Sequence, residues 1–248
     1  MALHLVGETI DAKRAHQRAK AGELIQLVRG VYVDHQGDIE ATILGHAVRI
    51  AHYLYPNAYL SSASAALLAP TPDGRLFISG RRNQRTRLRT LEIIQNEAPK
   101  HPSTAMAVIG DDLGELRVDA SSPRQRFLEA FRLRSEHASA ATADMRAQMA
   151  ARLVEEHGTP QAAADAVWVL ARENEWYREG EGAERFLLAQ PGVAKAPVNK
   201  AALDLLVAWH GEPLGRLTHD GFEWRWKPGR RAGPALVRET TPGKLPAF

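Results

Sequence analysis

Apolar residues near the C-terminus recur at every second position, and this period restricts that part of the chain to β-strands. The positions that carry the pattern are Leu205, Val207, Trp209, Phe222, Trp224 and Trp226. His210-Gly211 and Asp220-Gly221 separate the apolar runs, and such dipeptides are typical of the tight turns that join antiparallel strands. The pattern predicts a small antiparallel β-meander with one aromatic face. Three short strands bury too little apolar surface to be stable alone, so we expect this face to pack on another element or on a partner chain.

A glycine-spaced hairpin signature lies within the same segment. Residues 207–217 read VAWHGEPLGRL, in which Gly211, Gly215 and Leu217 follow a G-x-x-x-G-x-L spacing, and an aromatic strand comes next. This segment resembles the N-terminal subdomain of HipA-family serine/threonine kinases. The resemblance implies that residues 200–248 dock on a HipA-like kinase core, either in the same polypeptide or in a separate one. The residues expected to make this contact are Trp209, Phe222, Trp224 and Trp226.

The composition excludes several classes of site. The 248 residues include no cysteine, which rules out disulfides, thiolate zinc sites and cysteine nucleophiles. The first residues, MALHLVGETIDAKRAH, contain charged residues after only a short apolar run, which does not fit a signal peptide. No apolar run in the chain reaches the length of a membrane span. We therefore expect a cytoplasmic protein without a membrane contact. Its formal net charge is only +3, so an interaction with nucleic acid requires that the basic residues cluster.

Basic residues do cluster in a predicted helix near the N-terminus. Residues 9–21, TIDAKRAHQRAKA, have a helical composition, with Thr9 as the expected N-cap and Gly22 just beyond the end. Residues 24–33 read as two short strands around Arg29-Gly30. This order of helix, strand, turn and strand matches the recognition helix and wing of a winged helix-turn-helix domain. Alternatively, the basic residues form only a solvated helix face.

The phrase GELIQLVRGVYVD, at residues 22–34, is similar to the wing of AbiEi-type antitoxins, the DNA-binding members of type IV toxin–antitoxin pairs. The resemblance implies that residues 1–36 form a degenerate winged-helix head that binds DNA. Its helix would enter the major groove, where side chains reach base edges or phosphates. The side chains in that position are Lys13, Arg14, Gln17 and Arg18. Arg29, at the tip of the wing, would touch the DNA backbone.

Two helices are predicted after the head. In residues 38–54 the apolar positions form a helical stripe that Pro56 ends, and residues 58–68, AYLSSASAALL, read as a second helix of small residues. The second phrase also resembles AbiEi-like proteins. Its serines have no G-x-S-x-G elbow and no paired histidine or aspartate, so helix N-capping is their expected role. The serines concerned are Ser61, Ser62 and Ser64.

An arginine-rich hairpin is predicted next. Six arginines lie between Arg75 and Arg89, with no acidic residue among them. Guanidinium groups at this density repel one another, and contacts with phosphates would offset the repulsion. We therefore expect the hairpin to contact DNA through Arg81, Arg82, Arg85 and Arg87. The alternative is a solvated loop that acidic residues elsewhere in the chain neutralise.

The remaining segments predict packing rather than chemistry. Asp111 and Asp112 lie in a turn, without a histidine partner or metal-ligand spacing, so no metal site is expected there. Ser122-Pro123 predicts the start of a helix, and two long helices follow over residues 138–156 and 161–178. Residues 190–198 interrupt the periodic patterns and read as a linker.

Together these patterns predict an α+β protein with a degenerate winged-helix head at 1–36, a mainly helical AbiEi-like body with a small sheet at 37–189, a linker at 190–199 and a HipA-like β-module at 200–248. The expected function is that of a DNA-binding antitoxin and autorepressor that docks on a HipA-like kinase. The alternative is the N-terminal regulatory portion of a HipA-family kinase whose catalytic core lies beyond residue 248. No catalytic residue, cofactor or metal is expected in this chain, because it shows no glycine-rich phosphate loop and no HRD-like catalytic loop. The expected partners are operator DNA, the kinase core and a second copy in a homodimer.

Overall fold

A computed structural model describes residues 2–132 and 135–189, together with the backbone alone of three strands beyond them. Helices and strands are mixed along the chain, in agreement with an α+β class. The first half contains β1 (Leu3–Leu5), α1 (Ala12–Lys20), β2 (Leu24–Val28), β3 (Val31–Asp34), α2 (Ile39–Gly45), α3 (Ala47–Leu54), β4 (Tyr59–Leu60), α4 (Ser62–Leu67), β5 (Arg75–Gly80), β6 (Gln84–Leu88), β7 (Leu91–Glu97), β8 (Thr104–Asp111) and β9 (Gly114–Ser121). The second half contains α5 (Pro123–Glu129), α6 (Glu136–Ala140), α7 (Ala143–His157), α8 (Pro160–Glu173), α9 (Tyr177–Leu188), β10 (Leu203–Trp209), β11 (Glu212–His219) and β12 (Trp224–Pro228).

The first three strands form an antiparallel sheet in the order β1-β3-β2, and α1 packs against it. The N-cap of α1 is Asp11, whose side chain accepts a hydrogen bond from the backbone N–H of Arg14 at 2.8 Å. The prediction of Thr9 as the N-cap is wrong, because the Thr9 hydroxyl accepts from the N–H of Leu5 on β1 instead, also at 2.8 Å. The predicted end of the helix is confirmed, since Gly22 follows it with a φ of +77°, which glycine adopts at little cost.

A second, six-stranded sheet has the order β6-β7-β5-β4-β9-β8. The pairs β5–β7 and β4–β9 are parallel, and the other neighbours are antiparallel. The two-residue strand β4 joins the two halves of this sheet, because Leu60 pairs with Ile78 of β5 on one side and with Ala120 of β9 on the other. The middle of the sheet therefore depends on a very short strand.

Residues 38–68 differ from the two continuous helices that the sequence predicts. The first prediction is wrong at its centre, because the helix divides at His46, which ends α2 and precedes α3. The second is wrong at its start, because residues 59–60 form β4 and only residues 62–67 are helical. Local composition favours a helix there, but pairing with β5 and β9 fixes an extended backbone.

One apolar core joins the N-terminal sheet to the six-stranded sheet, and α2 and α3 contribute to the same cluster. Its largest fully buried members are Leu3, Leu5, Ile43, Ile50, Leu76, Leu88, Leu91 and Ile93. Strands β1 and β3 belong to this core, and α1 packs on the sheet that they form. Since protein interiors are densely packed, the position of α1 relative to the six-stranded sheet is fixed by side-chain contacts.

The helices after β9 form a second core. Helix α5 begins as predicted, with Ser122 as its N-cap and Pro123 in its first turn. The helix predicted over residues 138–156 divides into α6 and α7, and the one over 161–178 divides into α8 and α9, so both predictions of a continuous helix are wrong. The buried apolar side chains of this second core include Phe127, Leu128, Met149, Leu153, Val167, Trp168 and Leu187. Met149 and Trp168 therefore pack within this core.

The three C-terminal strands pair antiparallel in the order β10-β11-β12. In this register Leu205 is opposite Leu217, and Leu217 is opposite Trp226. The predicted linker at 190–199 lies outside the described residues, as do Phe222 and the side chains of Trp209, Trp224 and Trp226. Among the helices that the structure describes, none is long and apolar enough to cross a bilayer.

Candidate nucleic-acid interface

Helix α1 presents a polar, basic face to solvent. Lys13, Arg14 and Gln17 are exposed and lie on one side, because residues three and four apart are neighbours on a helix surface. Ala15 is on the opposite side and is fully buried. Apart from the N-cap Asp11, the first turn of the helix carries no acidic residue. The three exposed side chains are therefore accessible to an anionic ligand.

Arg18, the fourth residue predicted on this face, is held by acidic neighbours. Its guanidinium lies 2.9 Å from Glu23 and 3.6 Å from Asp34. Asp34 is fixed in turn by His4, whose Nε2 lies 2.9 Å away, and by the N–H of Ala2 at 2.8 Å. Burial acts to raise the pKa of Asp34, but these hydrogen bonds and the nearby positive charges together hold that pKa below its usual value. Arg18 therefore links the end of α1 to β3 and is less accessible to DNA than its neighbours.

The turn between β2 and β3 presents Arg29, which is exposed. Gly30 follows with a φ of +83°, a conformation that residues with a Cβ adopt only at a cost. The Tyr53 hydroxyl lies where a Cβ of residue 30 would be, and it donates to the carbonyl of Val6 at 2.9 Å. The N–H of Val6 donates to the carbonyl of Gly30, also at 2.9 Å. These contacts hold the turn beside β1 with Arg29 at its tip.

The arginine-rich hairpin of β6 and β7 is partly neutralised within the chain. Arg87 lies 2.7 Å and Arg85 3.2 Å from the carboxylate of Glu92 on β7, and Arg85 also contacts Glu136 of α6. The hydrogen bond from Arg87 and the two positive charges outweigh burial and hold the pKa of Glu92 below its usual value. Acidic residues elsewhere in the chain therefore neutralise Arg85 and Arg87. Glu92 lies outside the arginine run in the sequence, and β-pairing places it opposite Arg87.

The other arginines of this region remain solvent-exposed. No ion pair involves Arg81, Arg82 or Arg89 among the residues that the structure describes. Tyr55, at the end of α3, contacts β6, whereas Tyr53, two residues earlier, contacts the turn between β2 and β3. One helix end therefore supports both elements that carry exposed arginines.

A buried polar network connects the six-stranded sheet with α5 and includes the serines of α4. Ser61 Oγ lies 3.2 Å from Nδ1 of His137, and the Ser62 hydroxyl donates to the His137 carbonyl at 2.6 Å. Glu129 accepts hydrogen bonds from the N–H of Ser62 at 2.6 Å and from the hydroxyl of Ser121 at 2.9 Å. The predicted N-capping role is wrong, because Ser61 occupies the N-cap position without a side-chain cap bond, and the hydroxyl of Ser64 accepts from the backbone of β5 instead.

Burial controls the chemistry of this network. It raises the pKa of Glu129 to about 7 and lowers the pKa of His137 to about 3. Glu129 and His137 are each 2% exposed, and Ser61 is 0% exposed. A serine beside a histidine is otherwise the arrangement of a nucleophile and its base, but a substrate has no access to this pair. We therefore interpret the network as a structural connection between sheet and helices.

A further polar cluster connects the α2–α3 junction with the turn between β8 and β9. His46 contacts Asp112 through Nε2, and Arg49 binds both oxygens of Asp111 at 2.7 Å each. The expectation that these aspartates have no histidine partner is wrong. His46 and Asp112 are 66 residues apart in the chain, so no local spacing signals the pair.

Seven accessible side chains remain as candidates for contact with nucleic acid, and we call them the contact set. They are Lys13, Arg14, Gln17, Arg29, Arg81, Arg82 and Arg89. Six of the seven carry a positive charge, which suits a phosphate backbone. No protein-family model matches this chain, and no curated protein matches it either. The functional interpretation of the contact set therefore rests on its geometry and on the sequence motifs.

Proposed function

We propose that this chain binds double-stranded DNA through α1 and the β2–β3 turn, and that it is the antitoxin and autorepressor of a toxin–antitoxin operon. One observation carries the proposal: the exposed face of α1 is followed directly by a β-hairpin whose turn presents Arg29. In winged-helix proteins, a helix of this kind enters the major groove and the hairpin contacts the adjacent backbone.

The chemistry of the helix face suits base edges. Lys13 and Arg14 lie in the first turn of α1, and recognition helices direct that end toward the bases. Gln17 adds an amide that both donates and accepts, which matches the N6 and N7 positions of adenine. Arg29 supports this contact from the side, where a phosphate lies beside the groove.

Affinity that does not depend on base sequence would come from the rest of the contact set. Arg81, Arg82 and Arg89 are exposed, and their contacts with phosphates would release counterions from the duplex. Arg18 and Arg85 contribute less, because each would first have to leave a carboxylate partner.

The second part of the proposal assigns residues 200–248 to docking on a HipA-like kinase core. Support comes from the G-x-x-x-G-x-L signature and from three antiparallel strands whose register aligns Leu205, Leu217 and Trp226. The alternative is that the same residues belong to a single-chain kinase. Reading the coding sequence past codon 248 separates the two: a stop codon followed by a separate kinase gene supports the antitoxin, and continuous coding supports the kinase.

Fluorescence anisotropy with a duplex from the region upstream of the gene tests DNA binding. Lys13 and Arg14 are replaced together by alanine, which favours helix and so preserves α1. A control variant replaces Arg152 and Arg178, two exposed arginines of the helical part, so that the change in net charge is the same. We expect the α1 variant to lose at least about tenfold in affinity, and its slope of log K against log salt to fall by up to about 2. The assignment of α1 is contradicted when both double variants bind with equal affinity.

A further inference from the structure

His46, Asp111 and Asp112 form a compact set of potential metal ligands outside the contact set. Each offers one ligand atom, and these atoms all lie within 4.8 Å of one another. The side chains of His46 and Asp111 are only 8% and 12% exposed, whereas that of Asp112 is 59% exposed. The set is therefore packed against the protein on one side and open to solvent on the other.

The hydrogen bond at Nδ1 of His46 determines which ring nitrogen carries the proton. Nδ1 lies 2.9 Å from the carbonyl oxygen of Thr42, which can only accept, so Nδ1 is the protonated nitrogen. In a neutral ring, Nε2 then carries a lone pair. That lone pair faces the carboxylate of Asp112, which is also an acceptor, and no described residue donates to it. Two acceptors in contact require a cation, either a second proton on the ring or a metal ion that both atoms bind.

The charges around the set favour a divalent cation. Arg49 neutralises Asp111 in part, but among the described residues Oδ2 of Asp111 accepts only from Nε of Arg49 and so keeps a lone pair. Glu8 lies near enough to act electrostatically on Arg49 as well. Three carboxylates, those of Glu8, Asp111 and Asp112, therefore act electrostatically on one guanidinium. A neutral imidazole leaves this excess of negative charge unchanged.

We infer that His46, Asp111 and Asp112 bind a divalent first-row transition-metal ion such as Zn²⁺ or Co²⁺, with water completing its coordination. An imidazole nitrogen favours these ions over Mg²⁺ and Ca²⁺, which prefer oxygen ligands. The Thr42 carbonyl supplies the outer hydrogen bond that orients a metal-binding histidine. The bound ion fastens the β8–β9 turn to the α2–α3 junction, and its binding does not depend on the proposed contact with DNA.

The test titrates Co²⁺ and Zn²⁺ into the untagged 248-residue chain after treatment with a chelator, at about pH 8, where an ordinary imidazole is neutral. Visible absorption detects Co²⁺, and calorimetry gives the stoichiometry for Zn²⁺. Asp112→Asn is the informative variant, because its amide donates a hydrogen bond to Nε2 of His46 and preserves the contact while the anionic ligand is lost. Asp119→Asn removes an exposed carboxylate from the same β8–β9 hairpin and is the matched control. Circular dichroism confirms that each variant is folded.

We expect one ion per chain, an affinity that Asp112→Asn lowers by at least about tenfold, and no change in Asp119→Asn. Equal affinity in the wild type and Asp112→Asn means an adventitious ion only, and it overturns the inference. An equal loss in both variants overturns it too, because the effect is then one of general charge. Absence of binding at this pH also overturns it.

Discussion

Replacing Glu129 by glutamine should change how the stability of the protein depends on pH. Burial raises the pKa of this carboxyl from its ordinary value of 4.5 to about 7 in the folded protein. Between these values the folded state keeps a proton that the unfolded chain releases. The stabilisation is therefore complete below pH 4.5 and is lost as the pH rises through 7. At 1.36 kcal/mol per pH unit, the whole effect is about 3 kcal/mol.

His137 acts in the opposite direction over much of the same range. Burial lowers its pKa from 6.5 to about 3, so the unfolded chain binds a proton that the folded protein excludes. Its stabilisation is complete above pH 6.5 and is lost as the pH falls through 3, with a total of about 5 kcal/mol. Arg132 acts electrostatically on both groups. Between pH 4.5 and 6.5 the pH dependences that Glu129 and His137 give to the free energy of unfolding should cancel in the wild type.

Glu129→Gln removes one side of this balance. We expect the free energy of unfolding of the variant, relative to the wild type, to rise by about 3 kcal/mol as the pH increases from 4.5 to 7. Urea titrations at a series of pH values measure this difference. Glutamine also alters hydrogen bonds to Ser62 and Ser121, but the free-energy change from this alteration is the same at every pH. The slope of the difference in unfolding free energy against pH is therefore the decisive measurement. Glu155→Gln, at an exposed position of α7, should follow the wild type. Parallel profiles for Glu129→Gln and the wild type would refute the reasoning.

Three further predictions concern packing, the β2–β3 turn and the C-terminal strands. Leu128→Ala, at a fully buried position, should lower the free energy of unfolding by about 2–5 kcal/mol in urea titrations. Leu188→Ala, at a position 39% exposed, should lower it by less. Similar losses in the two variants would place Leu128 outside the core. Gly30→Ala should destabilise the protein by about 1–3 kcal/mol, and by more than Gly22→Ala does. Both glycines have a positive φ, but only a Cβ at residue 30 would meet the Tyr53 hydroxyl. Thermal unfolding compares the two variants, and equal losses of stability would contradict the contact with Tyr53. Truncation after Val198 should abolish co-purification with a neighbouring HipA-like kinase and leave DNA binding intact, and retention of the kinase would place the docking surface elsewhere.

Local sequence signals are sufficient to predict those helix ends and turns that a few consecutive residues determine. Ser122-Pro123 identifies the start of α5, Gly22 the end of α1, and Arg29-Gly30 the turn between β2 and β3. Several of the failures involve partners that are distant in sequence. Ser61 meets His137 across 76 residues, and no capping motif or catalytic signature reports that contact.

Strand β4 illustrates the same limit for secondary structure. Its small neighbours favour a helix, and its extended backbone is fixed by strands that begin 15 or more residues later. The metal-ligand set could not be predicted for a related reason. His46 occupies a helix break that hydrophobic periodicity does not reveal, and Asp111 and Asp112 come from a distant hairpin.

The single apolar core beneath the N-terminal and six-stranded sheets has a consequence for how the protein loses its structure. Strands β1, β3, β5 and β7 contribute buried side chains to this same core, so they should open together rather than as separate units. Native-state hydrogen exchange would then give the amides of β3 and β5 the same free energy of opening. For a DNA-binding α1, this coupling means that unfolding of the body by a protease also ends DNA binding in one cooperative event.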